Sequence, residues 1–133
     1  MISLGERIGA CLKPGDVIAL RGTLAAGKTT LTKGIARSLG IDEEITSPTF
    51  TLISEYQGRI ALYHMDAYRL DSTEGFLDIG AEEFLYGNGV SVVEWSERVT
   101  EAMPKEAITI SIVTMGDGSR EVTMDNWPYG GLC

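Results

Sequence analysis

Gly22-Thr23-Leu24-Ala25-Ala26-Gly27-Lys28-Thr29, followed by Thr30, places glycine, lysine and threonine at the spacing of a phosphate-holding loop. Glycines let a backbone curl until successive N–H groups point inward at dense negative charge. A helix that follows adds its free N–H groups and the positive end of its dipole. Lys28 then reaches the terminal phosphates, and the Thr29 hydroxyl, a small neutral oxygen at the helix start, is placed to ligate magnesium. The loop backbone expected around a nucleotide comprises Gly22, Leu24, Ala25, Ala26, Gly27, Lys28, Thr29 and Thr30. Ala25 stands where glycine would give more freedom, and it needs a negative φ.

Such a loop needs a strand before it and a helix after it. Val17-Ile18-Ala19-Leu20 is a short apolar run, the mark of a strand covered on both faces. Leu31, Ile35 and Leu39 fall on one stripe of a helix that Gly40 stops. Upstream, Leu4, Ile8, Cys11 and Leu12 recur at helical spacing, Ser3-Leu4-Gly5-Glu6 fits a capping box, and Lys13-Pro14-Gly15 ends the helix.

Downstream, Ser47 to Tyr56 and Ile60 to Met65 are expected strands, and Ser72 to Ile79 and Ala81 to Tyr86 short helices around Gly80. Val90 to Val93 is another buried run, and Glu97 to Met103 allows a helical turn or two. Ile108, Ile110 and Ile112 alternate with polar residues, and Gly116-Asp117-Gly118 turns the chain into Glu121 to Met124 as a hairpin partner. The pattern predicts a single α/β domain over residues 1–133. Its three-layer sheet is parallel in the centre, with antiparallel additions and a C-terminal hairpin, and the tail from about residue 125 is irregular.

The 133 residues are 44% hydrophobic and 23% charged, as in an ordinary globular protein with a real core. No apolar run approaches the roughly 20 residues that span a bilayer, and the first residues lack a secretory pattern. Cys11 and Cys133 are not at metal-ligand spacing, and nothing in the sequence points to a disulfide framework. The cytoplasm is the expected location. A net charge of -8 argues against direct gripping of nucleic-acid phosphates and is compatible with docking on a basic protein, although in most acidic proteins such charge serves only solubility.

Magnesium needs support beyond one hydroxyl, and hydrolysis needs a group to orient or deprotonate water. Two acids follow buried runs: Asp66 after Ile60-Ala61-Leu62-Tyr63-His64-Met65, and Glu94 after Val90-Ser91-Val92-Val93. Strand ends border the ligand crevice of open α/β sheets, so Glu94 is expected to support the metal and Asp66 the metal or water. A surface strand exit is the plainer alternative for each. Lone His64, in an apolar run, is expected to be a packed or a surface residue rather than a catalyst. Trp95 is open between core and a contact near the nucleotide. Thr49 and Thr51 are open between γ-phosphate sensing and strand surface. Asp42-Glu43-Glu44 reads as a solvated loop.

Gly27-Lys28-Thr29-Thr30, Ser47-Pro48-Thr49-Phe50-Thr51-Leu52, Tyr63-His64-Met65-Asp66 with Tyr68-Arg69-Leu70, and Glu94-Trp95, in this order, resemble the bacterial TsaE (YjeE) ATPases of tRNA threonylcarbamoyladenosine biosynthesis. The correspondence runs from about Leu4 to Met124. The resemblance implies magnesium-dependent binding and slow hydrolysis of ATP, with ATP and Mg2+ at the loop. It also implies association with TsaB and TsaD, which carry the tRNA, so that tRNA contact is indirect. By matching position, Lys28 and Thr29 would hold phosphate and magnesium and Glu94 would join the metal shell. Thr49 and Asp66 would be switch or catalytic residues, and Trp95 would lie close to the nucleotide. Thr23 and Ala25 depart from the family's usual acidic residue and glycine. The strand that commonly precedes the family's first helix has no counterpart here, so an adenine contact from it does not carry over.

Two other functions compete. A small-molecule kinase would need an acceptor pocket and an Arg-rich lid, and a nucleotide-binding scaffold would bind without appreciable hydrolysis. A GTPase would carry an Asn/Thr-Lys-x-Asp motif, which the sequence lacks.

Overall fold

The computed structural model describes residues 1–22, 27–46, 53–68, 70 and 73–133. The elements run α1 (Ile2–Cys11), β1 (Val17–Gly22), α2 (Lys28–Ser38), β2 (Ile53–Tyr56), β3 (Leu62–Asp66), α3 (Thr73–Asp78), α4 (Ala81–Leu85), β4 (Val90–Glu94), β5 (Ile108–Thr114) and β6 (Arg120–Asp125). Two 3-10 turns, Ser96–Arg98 and Thr100–Ala102, fill the stretch where a helical turn or two was expected. The start of the expected strand at Ser47 through Leu52 lies outside the described residues, as do Thr23 to Ala26.

Among the described residues, six strands form one sheet in the order β2-β3-β4-β1-β5-β6. The inner four run parallel, and β2 and β6 close the two edges antiparallel. Burial follows from this order. Every residue of β4 is buried, because neighbouring strands and both covering layers enclose it. On one face Ile18, Leu20, Ile108 and Ile110 pack under Ile8, Leu31, Ile35 and Leu39 of α1 and α2. On the other, Val17, Met65 and Val93 pack under Phe76, Ala81 and Leu85 of α3 and α4. The three expected layers are present.

The capping box does not form. Helix α1 starts at Ile2 with Met1 as its cap and no side-chain cap bond, so Ser3 lies inside the first turn. What fixes this helix is a glycine contact. A Cβ on Gly34 would collide with the Ile2 carbonyl oxygen, and one on Gly5 with the Leu31 carbonyl oxygen, so α1 and α2 touch backbone to backbone. Gly34→Ala would gain about 1 kcal/mol of helix propensity yet force the two helices apart. We expect a net loss of about 2 kcal/mol, read as a lower midpoint of chemical unfolding.

The two cysteines correct a second expectation. Cys11 at the end of α1 and Cys133 form a disulfide, with Cα atoms 5.7 Å apart. They lie 122 residues apart, and spacing in sequence carries no trace of their proximity in the fold. The residues after β6 form no helix or strand, but they are held. Trp127, Tyr129 and Leu132 pack against the α1–α2 core. The Tyr129 hydroxyl donates to Asp16 Oδ2 at 2.5 Å. Burial, and then the Asp16 carboxylate, push that phenol up to about 12. Arg7 Nε donates to the Cys133 carbonyl at 3.3 Å.

Candidate functional site

The carboxyl ends of β1, β3 and β4 and the N-terminus of α2 meet at one place. Strand β1 ends at Gly22, and α2 begins at Lys28 with Gly27 as its cap, φ 102°, a left-handed conformation that glycine adopts without strain. Among the described residues no side chain caps this helix, and the first N–H groups of a helix have no partner within the helix itself, which suits them to a ligand. Leu24, Ala25 and Ala26, expected in the same cradle, lie outside the described residues, as do Thr49 and Thr51.

Lys28 is only 3% exposed. Its ammonium donates to the Gly22 carbonyl at 2.8 Å and sits 3.5 Å from the centroid of the Trp95 ring. Burial pushes this lysine below its usual range, and the negative charges of Glu94, Glu97 and Asp66 work against that shift. The ammonium is therefore held among carboxylates and an aromatic face, within reach of the α2 N-terminus. Trp95 has φ 59°, uncommon for a bulky residue, and this turn aims its ring under Lys28. Tyr68 supports the ring from 4.8 Å, and Arg98 lies 5.9 Å above it. The Ser96 hydroxyl donates to the Leu20 carbonyl at 3.0 Å, pinning the exit of β4 to β1. Trp95 packs against the core around Met65 and Phe76 and also lies beside the loop lysine, so its position has a part of both readings.

Glu94 lies at the end of β4 opposite Asp66 at the end of β3. Its carboxylate is 3% exposed and accepts from the Thr29 hydroxyl at 3.4 and 3.5 Å. Asp66 Oδ1 accepts the Tyr68 N–H at 2.9 Å, an Asx-type turn that carries the chain out of β3. The structure thus brings together Gly22, Gly27, Lys28, Thr29, Asp66, Glu94 and Trp95, with Thr30 in the first turn of α2. Glu94 is a buried carboxylate, and the surface-exit alternative does not describe it.

His64 is packed, one of the two positions expected of it, and is fully buried. Its partner is not legible in the sequence: Nε2 lies 2.5 Å from Glu94 Oε2. Glu97, Tyr68 and Arg98 around Lys28 and Trp95 were also missed. So was Arg120, whose Nε would lie 3.6 Å from a Cβ on Gly27. Tyr68, Glu97 and Arg98 follow the ends of β3 and β4 and Arg120 begins β6, so they meet only once the sheet is assembled.

The donors facing Lys28 and the helix start are a hydroxyl and carboxylates, all hard oxygens, which suit magnesium rather than a thiolate-bound metal. Among the described residues, no group of three or more His, Cys, Asp or Glu is arranged to hold an ion by itself. A cation shared with substrate phosphates needs only one or two protein oxygens, so Thr29 and Glu94 fit that chemistry. Among the described residues no helix is long and apolar enough to cross a membrane.

Comparison with known proteins gives the site a family. The model of the family described as "Threonylcarbamoyl adenosine biosynthesis protein TsaE" matches residues 1–122. The tRNA threonylcarbamoyladenosine biosynthesis protein TsaE of Treponema pallidum is 56% identical over 120 residues, covering 90% of this chain and 89% of its own. The Bacillus subtilis protein of the same name is 46% identical over 122 residues, covering 91% and 76%. The crystal structure of Bacillus subtilis YdiB superposes with a TM-score of 0.80 at 42% identity, over 92% of this chain and 76% of that one. With a family model spanning most of its length and relatives of this identity, the chain belongs to the TsaE family of tRNA threonylcarbamoyladenosine biosynthesis.

Proposed function

We propose that the chain binds ATP with magnesium and hydrolyses it slowly. In this reading it works in the cytoplasm as the nucleotide-driven subunit beside TsaB and TsaD, with tRNA held by the complex rather than by this chain. The observation that carries the reading is the buried set of Lys28, Thr29 and Glu94 at the mouth of α2. A lysine withdrawn from water beside free helix N–H groups has a role if a triphosphate enters there, and otherwise costs stability. Lys28 would leave Trp95 and the Gly22 carbonyl to meet the terminal phosphates, while Thr29 and Glu94 steady the cation. When bound, magnesium would neutralise charge on the phosphate oxygens. Asp66, beside Glu94, would support the metal or orient water. Leu24, Ala25 and Ala26 would supply backbone, and Thr49 would sense the γ-phosphate.

The contact between Lys28 and Trp95 favours slow turnover by the isolated chain, because the ammonium must change partners before it serves the phosphate. Partner dependence follows if TsaB and TsaD stabilise the rearranged turn. ATP turnover measured with and without both partners tests this, and stimulation is the expected result. No turnover in either condition would leave a nucleotide-binding scaffold, and phosphate transfer to a small acceptor would indicate a kinase.

Lys28→Ala is expected to weaken ATP binding about 100-fold, the loss of a charged hydrogen-bonding partner worth roughly 2–3 kcal/mol. Calorimetry in magnesium buffer reads this directly. The variant should stay folded, since removing a buried ammonium also removes its desolvation cost.

A further inference from the structure

The chain's only histidine has no place in the scheme above, yet it is fully buried and touches the central carboxylate. Residues alternate faces along a strand, so His64 and Asp66 share a face of β3, and Val92 and Glu94 share a face of β4. The parallel register sets His64 beside Val92 and Asp66 beside Glu94, which makes the His64 ring a diagonal neighbour of the Glu94 carboxylate. Nε2 approaches Oε2 to 2.5 Å, far closer than the Thr29 hydroxyl at 3.4 Å.

We propose that His64 is a positioning residue that donates its Nε2–H to Glu94 Oε2 and so aims the carboxylate at Thr29 and the phosphate cradle.

The bond is strong because an ionised carboxylate only accepts, which puts the proton on Nε2. The other ring nitrogen, Nδ1, is buried and has no protein hydrogen-bond partner among the described residues. Glu94 is therefore the polar contact that fixes the ring, and the ring is the closest donor that fixes Glu94. Without it the carboxylate keeps only the long approaches of the Thr29 hydroxyl, at 3.4 and 3.5 Å, among the hydrogen bonds described above. Outer partners of this kind orient ligand groups much as a ligand set orients a metal, and losing one costs about 10- to 100-fold in activity or metal affinity.

The link to turnover rests on the ATPase reading; the hydrogen bond itself does not. Nitrogen-15 NMR of the labelled, nucleotide-free full chain resolves one imidazole. Protonated Nε2, bare Nδ1 and a slowly exchanging Nε2–H that shifts in Glu94→Gln are expected. A proton on Nδ1, or a ring signal indifferent to Glu94→Gln, overturns the proposal. In kinetics, His64→Leu should lower kcat by about 10- to 100-fold with KM for ATP within about threefold. His64→Gln carries an amide N–H the same number of bonds from Cα and should recover most of kcat. Leu and Gln variants equally impaired, or a Leu variant as active as the parent, overturns it. If the parent hydrolyses no ATP, the ATPase reading fails and the NMR result alone decides the role of His64.

Discussion

Glu94→Gln is expected to lower ATP turnover by about 100- to 1000-fold while nucleotide affinity changes only a few-fold. The substitution keeps the shape of the side chain and one oxygen that accepts from His64, so the fold has little reason to respond. It removes the negative charge at the end of β4, the charge nearest the Thr29 hydroxyl. In the proposed reading most of the binding would come from backbone N–H groups and Lys28, and Glu94 would bear on it only through its charge near that lysine. Chemistry is different, because charge development on the phosphate oxygens and on the attacking water must be met by a preorganised metal and acid. Losses of about 100- to 1000-fold are usual when such a group is deleted. Single-turnover kinetics with saturating ATP give the measurement. Turnover within threefold of the parent would remove Glu94 from the mechanism.

Opening the bond between Cys11 and Cys133 is expected to cost about 4–5 kcal/mol of stability and roughly 15 °C in Tm. The two cysteines lie 122 residues apart in sequence. Linking them removes much of the entropy of the unfolded chain, and this effect grows with the length of the closed loop. The native tail loses less. Trp127, Tyr129 and Leu132 stay on the α1–α2 core, and the hydrogen bond from Tyr129 to Asp16 does not need the crosslink. The comparison is therefore thermal unfolding with and without a dithiol reductant, with Cys133→Ser as control. Cys133 is exposed and Cys11 buried, so serine at 133 avoids placing a hydroxyl in the core. Equal midpoints for oxidised and reduced protein would contradict the expectation. In a reducing environment the thiol form prevails, and the tail is then held by its apolar packing and the hydrogen bond from Tyr129 to Asp16.

The fold was legible wherever local pattern reports burial. Val17 to Leu20 and Val90 to Val93 are apolar without alternation, and both became central parallel strands covered on two faces. Leu31, Ile35 and Leu39 recur every turn, and all three are fully buried. The start of α1 was not legible. Its register is set by the backbone contact between Gly5 and Gly34, and a glycine in a sequence does not say what it approaches. In the candidate site, Lys28 and Thr29 could be read from loop chemistry, and Asp66 and Glu94 from their positions at strand ends. His64 could be read as packed or surface but not as a partner of Glu94, because that contact needs β3 and β4 side by side. Sequence order places β4 well after β3, and adjacency comes only with the whole sheet.

The crosslink also changes what a cut in the chain would do. Because the bond ties Cys11 to Cys133, almost the whole polypeptide is a closed covalent ring. A single peptide-bond scission inside it, such as at the Gly116-Asp117-Gly118 turn, opens the ring without freeing a fragment. The sheet would keep all its strands tethered until the sulfurs are reduced, and only then would the pieces be free to part.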